Sequence, residues 1–302
     1  MKKKIRHFLN INNLSKKEML LIIKQGHFLK KNYGRKFFEE KKILAMIFEK
    51  PSTRTRVSFE VGMKKLNGDV VVLDQHDSQL GRGESLQDTI KVLGRYVDII
   101  LYRGSDEKKL YEISESSNVP IINGLTNNSH PCQIVADLMT LEENFKDINK
   151  LEICWVGDGN NVCNSWIEAV SHYDFKLNIS CPEGCFPSEK ILKNSKSSQV
   201  SLFNDPTKAV KNADVVITDT WESMGIKKDK QMLKNFHKFR VDAQLMSQTT
   251  KDSFFLHCLP AHRGCEVTNE IIDGKNSLVW DEAQNRLYAH QSILLWLSLI
   301  HI

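Results

Sequence analysis

Short apolar runs alternate with amphipathic stretches along most of the chain. Residues 43–48 are continuously apolar and predict a buried strand; Val57, Phe59, Val61, Met63 and Leu66 then mark a helix over 53–66. The alternation continues with strand 70–73, helix 86–96, strand 99–102, helix 106–116 and strand 119–122. A helix from about 132 to 144 and a polar junction to 150 follow, after which alternation restarts. Strands are expected at 153–156, 177–181, 200–203, 215–218, 254–259 and 278–280, and helices at 161–172, 188–196, 206–212 and 229–238. Before all of these, Ser15-Lys16-Lys17-Glu18 is a capping box that opens a helix to about Leu29. The closing stretch from about Ala283 is apolar nearly all round, as a buried helix packing back across the protein would be. Alternating strands and helices predict an α/β protein with two doubly wound parallel-sheet domains and a cleft between them. The expected boundaries are 1–131 with 284–302 returning to it, a linking helix at 132–150, and 151–283.

In such sheets ligands bind beyond the carboxyl ends of the strands. Strand 43–48 runs into Ser52-Thr53-Arg54-Thr55-Arg56, where Ser52 or Thr53 is a good N-cap. Three hydroxyls and two guanidiniums at one helix N-terminus read as a phosphate or phosphate-ester site. The alternative is a capped surface helix with two solvated arginines. Other strand ends carry Arg103, the loop from Asn127 to Gln133 with His130, the turn from Gly157 to Asn161, Asp219, and His257-Cys258-Leu259-Pro260. A lone histidine before a helix or a cysteine ending a strand is ordinarily structural, but their joint placement on one rim favours a site. Gly157-x-Gly159 lacks the third glycine of a dinucleotide fingerprint, with Val162 in that place, so no nucleotide cofactor is expected.

Length narrows the reading further: 302 residues suit two domains. A net charge of +5 comes partly from Lys2, Lys3 and Lys4 and partly from scattered lysines, with no basic–aromatic stripe; it fits small anionic ligands and not nucleic acid. Seven cysteines, an odd number, fit a reduced, cytoplasmic protein. The lone Cys181-x3-Cys185 has no second ligand pair, so no metal site is expected. Asn10, Asn12 and Asn13 interrupt any signal-peptide core, and the tail 292–302 is too short to span a bilayer.

Four segments together resemble the ornithine branch of the aspartate/ornithine carbamoyltransferase family. They are Phe48 to Arg56, His130-Pro131-Cys132-Gln133, Asp219-x3-Ser223-Met224-Gly225 and His257-Cys258-Leu259-Pro260. The first two are shared by carbamoyltransferases generally; the last two are narrower and point to ornithine. The one departure seen is Asn67, where a glycine is common before Gly68. The resemblance implies transfer of the carbamoyl group of carbamoyl phosphate to the δ-amine of L-ornithine, in arginine biosynthesis or in reverse in arginine catabolism. It implies a homotrimer. Ser52, Thr53, Arg54 and Thr55 would hold the phosphate, joined by Gln79 from the 75–84 loop of a neighbouring subunit. Arg103, His130 and Thr55 would donate to the carbamoyl oxygen, Gln133 would hold its NH2 end, and Arg286 would be a further contact. Asn161, Asp219, Ser223 and Met224 would hold the α-carboxylate and α-amine of ornithine, with Cys258 and Leu259 beside carbamoyl phosphate and the δ-amine. Arg103, His130 and Cys258 are thus the expected catalytic residues. Cys258 orients the amine in this reading, because adjacent His257 would point to the other face of a strand. Another acceptor (aspartate, putrescine, N-acetylornithine) or a catalytically silent ligand-binding subunit is the competing expectation.

Overall fold

The apolar run at 43–48 forms β1 (Ile43–Phe48), buried along nearly its whole length, in a computed structural model that describes residues 5–32, 35, 37–74, 84–193, 197–222 and 228–298. The chain divides into two units, one of Met1–Ala136 with Asn285–Ile302 and one of Asp137–Gln284. Each has a parallel sheet with flanking helices, so the α/β reading holds for both. Among the described residues no helix is long and apolar enough to cross a membrane.

In the first unit the strand order is β2 (Asp69–Asp74), β1, β3 (Ile99–Arg103), β4 (Ile121–Leu125). From β1 the chain passes through α2 (Thr53–Lys65) to β2 on one side, while β3 lies on the other. The gap beyond β1 and β3 is therefore the topological switch point, where Phe48 pairs with Arg103. Helix α2 ends in a Schellman arrangement: the N–H of Gly68 reaches the carbonyl of Met63 and that of Asn67 the carbonyl of Lys64. This requires a left-handed residue at 67, and Asn67 has φ 76°. Asparagine tolerates that conformation better than other side-chain-bearing residues, which accounts for its standing where glycine is usual. β4 starts at Ile121, later than the sequence suggests, after Pro120, which has no N–H to give a ladder. The last helix, α12 (Val279–Ser298), contributes its part from Asn285 onward to this unit. There it packs on α1 (Lys16–Lys31) through Lys30 and Asn285, and on α2 through Phe59 and His290. Its Ile293, Leu294, Leu295, Trp296 and Leu297 are all buried, as an all-round apolar helix must be.

In the second unit the order is β7 (Val200–Phe203), β6 (Lys176–Ser180), β5 (Glu152–Val156), β8 (Val215–Thr218), β9 (Phe254–His257). Its switch point lies between β5 and β8. The expected strand at 278–280 is absent. Ser277 makes a single bridge to Phe255, and Val279 already begins α12, with Asp281 and Glu282 in its first turn where carboxylates suit the helix dipole. A short apolar run of this kind does not tell strand from buried helix by periodicity.

Candidate active site

At the first switch point the local sequence sets the geometry. Ser52 has extended backbone, and its hydroxyl accepts the N–H of Thr55, making it the N-cap of α2. Thr53 is the first helical residue and is exposed; Arg54 is partly buried; Thr55 faces inward and is fully buried. Arg56 does not join them. It is exposed and pairs with Asp74 at 3.2 Å. Arg103 arrives from β3 by way of a register shift, since Tyr102 pairs with Asn123 but Arg103 with Leu125. The additional residue, Gly124, accepts Arg103 Nη1 at 3.4 Å and has no room for a side chain, because a Cβ there would lie 2.9 Å from Leu101.

Two guanidiniums converge on one hydroxyl. Arg103 Nη1 donates to Thr55 Oγ1 at 3.1 Å and Arg286 Nη2 donates to the same oxygen at 2.9 Å. Arg103 is 6% exposed and Arg286 4%. With both oxygen lone pairs engaged, Thr55 has only its proton to offer a ligand, so it can act there only as a donor. Burial of a cation is unfavourable by about several kcal/mol, so two guanidiniums held side by side favour an anion beside them. Lys50 adds to the cationic surroundings: burial foremost, then the charge of Arg103, lowers its ammonium pKa, while Glu49 opposes the shift.

His130 immediately precedes α5 (Pro131–Asn144) and is buried. Burial first, then Arg286, Arg103, His290 and Arg54, hold its imidazole well below the ordinary histidine range. It is neutral at physiological pH and presents one N–H donor. Gln133 is buried in the first turn of α5.

The second unit builds a matching cluster at its own switch point. Gly157 (φ 127°) turns the chain out of β5, and Gly159 passes so close to Cys185 that a Cβ would lie 2.6 Å from that carbonyl oxygen. Both glycines are thus accounted for by the backbone. Asn160, one residue before the expected Asn161, caps α6 (Asn161–Ala169): its side-chain oxygen accepts Val162 N–H and Cys163 N–H. Its amide donates to Asp219 Oδ2 at 2.7 Å, while the thiol of Cys258 donates to Asp219 Oδ1 at 3.3 Å. Asn161 is buried at the first position of the helix. Asp158 pairs with Lys228 at 2.8 Å, and burial nevertheless raises its carboxyl pKa, with Lys228 opposing.

Burial and then the Asp219 carboxylate push the Cys258 thiol well above its usual range, so the sulfur is a neutral donor and not a thiolate. His257 has other partners: Nδ1 accepts the N–H of Leu259 at 2.9 Å, which places the ring proton on Nε2, toward Glu266 at 3.3 Å. Leu259 itself sits at φ 58°. Asp219, His257 and Cys258 offer ligand atoms within 4.8 Å of one another, but the Nδ1 lone pair of His257 is committed to that backbone amide.

The structure therefore brings Ser52, Thr55, Arg103 and Arg286 together through hydrogen bonds, sets His130 within the field of Arg54, Arg103 and Arg286, and joins Asp219 to Cys258. Gln79, Ser223 and Met224 lie outside the described residues. Sequence reasoning missed the role of Asn160, although a polar residue just before a helix start is the ordinary signal of a cap.

Comparison with known proteins matches residues 6–143 to the family model for the aspartate/ornithine carbamoyltransferase carbamoyl-P binding domain, and residues 149–297 to that for the Asp/Orn binding domain. An ornithine carbamoyltransferase of Rhodopseudomonas palustris (strain BisA53) is 47% identical over 301 residues, covering 96% of each chain. Among solved structures, anabolic ornithine carbamoyltransferase from Campylobacter jejuni superposes with a TM-score of 0.92 at 38% identity, covering 98% of this chain and 100% of its own. Ornithine carbamoyltransferase from Pyrococcus furiosus gives 0.91 at 43% identity, with 96% of each chain covered.

Proposed function

The chain belongs to the aspartate/ornithine carbamoyltransferase family, and from that premise we propose that it transfers the carbamoyl group of carbamoyl phosphate to the δ-amine of L-ornithine. The observation that carries this reading is the convergence of buried Arg103 and Arg286 on the Thr55 hydroxyl, at a helix N-terminus beyond a switch point. That is chemistry for a phosphate dianion bearing a polarisable carbonyl. The free N–H groups of α2 with Ser52, Thr53 and Arg54 take the phosphate oxygens, joined by Gln79 of a neighbouring subunit in a homotrimer. Thr55, Arg103 and neutral His130 donate to the carbamoyl oxygen, Gln133 holds the NH2 end, and Arg286 completes the contacts. Asp219, fixed by Asn160, takes the α-ammonium of ornithine, and Asn161, Ser223 and Met224 complete that half-site.

In the reaction the lone pair of the δ-nitrogen forms a bond to the carbamoyl carbon, negative charge gathers on the carbonyl oxygen, and the carbon–oxygen bond to phosphate breaks. Phosphate leaves with the bonding pair, the nitrogen loses a proton, and citrulline results. Cys258, a neutral thiol with Leu259 beside it, orients the amine without forming a covalent bond. Catalysis is positioning and charge stabilisation. The enzyme works in the cytoplasm, in arginine synthesis or, in reverse, in arginine breakdown. Citrulline formation from carbamoyl phosphate is the test, with L-ornithine, aspartate, putrescine and N-acetylornithine offered in turn. Preference for any acceptor but L-ornithine, or no turnover with any of the four, would overturn the reading.

A further inference from the structure

His290 lies one helical turn beyond Arg286 on α12, so the two share a face. That face meets α2 in a ladder: Arg286 to Thr55, His290 to Ser58 and Phe59, and Gln291 Nε2 to the Gly62 carbonyl at 3.3 Å. The middle rung can be resolved proton by proton. Ser58 Oγ lies 2.5 Å from the Arg54 carbonyl and 3.3 Å from that of Thr55, and 2.8 Å from His290 Nδ1. Carbonyls only accept, so the serine proton goes to them, chiefly to Arg54. Ser58 must then accept from His290, which puts the imidazole proton on Nδ1. The ring is fully buried and stacks on Phe59 with centroids 3.9 Å apart and planes 13° from parallel, which fixes its plane, and the bond to Ser58 fixes which edge carries Nδ1. A serine that bonds back to the carbonyl four residues earlier competes for that carbonyl and often bends a helix there. Here the carbonyl that Ser58 reaches belongs to Arg54, in the first turn of α2.

We propose that His290 is a positioning residue for carbamoyl phosphate: it selects the Ser58 rotamer that bonds to the Arg54 carbonyl, and so sets the phosphate-binding turn without touching the ligand. The proposal rests on the functional reading above and concerns a residue that motif reasoning did not reach. Burial foremost, with Arg286 beside it, keeps the ring neutral, so the Nδ1 proton has the single role of a donor to Ser58. His290→Phe keeps the stacked ring and loses the donor. His290→Asn places an amide donor where Nδ1 stood. Ser58→Ala removes the other end of the relay.

Dissociation constants for carbamoyl phosphate and for inorganic phosphate, by calorimetry, read the effect, with the ornithine KM at saturating carbamoyl phosphate as the internal contrast. His290→Phe and Ser58→Ala should each weaken both phosphate ligands by about 5-fold, the net worth of one neutral hydrogen bond. The ornithine KM should not move, His290→Asn should stay within about 2-fold of wild type, and the double variant should be no worse than the poorer single. Unchanged affinity in His290→Phe would overturn the proposal. So would equal loss in the Phe and Asn variants, full additivity in the double variant, or a parallel rise in the ornithine KM. Should His290→Phe not fold, Ser58→Ala alone decides, and wild-type affinity there overturns the proposal. Turnover by the wild type tests the functional reading separately; its absence withdraws that reading and this inference with it.

Discussion

Thr55→Val is the sharpest perturbation of the first half-site, because valine keeps the shape of threonine and removes only the hydroxyl. Two effects follow from the geometry. Without ligand, Arg103 and Arg286 lose a shared acceptor that stands 3.1 and 2.9 Å from their nitrogens, inside a site where each guanidinium is nearly fully buried. Leaving buried charged donors without that oxygen destabilises the fold by about 1–3 kcal/mol. For a chain of this size that lowers Tm by about 2–4 °C per kcal/mol. With ligand, the site loses the proton that, in the proposed reading, Thr55 presents to the carbamoyl oxygen. A hydrogen bond to a charged group contributes about 1.5–3 kcal/mol, and here the charge grows in the transition state. The loss should therefore reach about 10- to 150-fold in kcat/KM for carbamoyl phosphate, at 1.36 kcal/mol per tenfold. Thr55→Ser, which keeps the hydroxyl, should retain most of both quantities. Scanning calorimetry of the free protein and steady-state kinetics at saturating ornithine read the two effects independently. A Thr55→Val protein that melts like wild type and uses carbamoyl phosphate equally well would show that the convergence on this hydroxyl has no functional weight.

Three further outcomes are expected. His130 and His290 are both held neutral by burial, so the unfolded chain binds protons that the folded chain refuses once pH drops below about 6.5; stability is full above that pH and falls below it, by about 1.4 kcal/mol per pH unit for each histidine. His290→Asn should lose Tm less steeply between pH 6.5 and 5, and an identical slope to wild type would contradict this. Cys258, partly exposed but protonated, should alkylate slowly with iodoacetamide at pH 8 while exposed Cys265 reacts first, as peptide mass spectrometry would resolve; Cys258→Ser should keep turnover with a raised ornithine KM, and a carbamoylated Cys258 would refute the non-covalent role. Arg54→Ala and Gln79→Ala should each be poor enzymes, and mixed oligomers reassembled from equal parts should regain about one quarter of wild-type activity if, as proposed, a site takes one residue from each of two subunits. No recovery, with mixed oligomers verified by native mass spectrometry, would place both residues in one subunit's own site.

The alternation of strands and helices was legible because each apolar run was short and bounded, and the Ser52 cap was legible because capping is a local matter of residue type. What failed was helical phase. Val57, Phe59, Val61 and Met63 alternate with period two, which hides the stripe that is buried: Thr55, Phe59, Gly62 and Met63. Val57 and Val61 are exposed on the other side. Run backward from Met63 and Phe59 in steps of four, the stripe lands on Thr55 and leaves Arg56 facing outward, toward Asp74. The information was present, but a reading of motif letters gives Arg54 and Arg56 equal standing, whereas a helix turns about 200° between them and separates their roles. Arg286 is a different case. It bonds to Thr55 across 231 positions of sequence, and no local pattern encodes such a contact; only the family resemblance named it. His290 had neither source. It follows from Arg286 by a helical step of four, and only once Arg286 is known to face α2 does that step acquire a meaning.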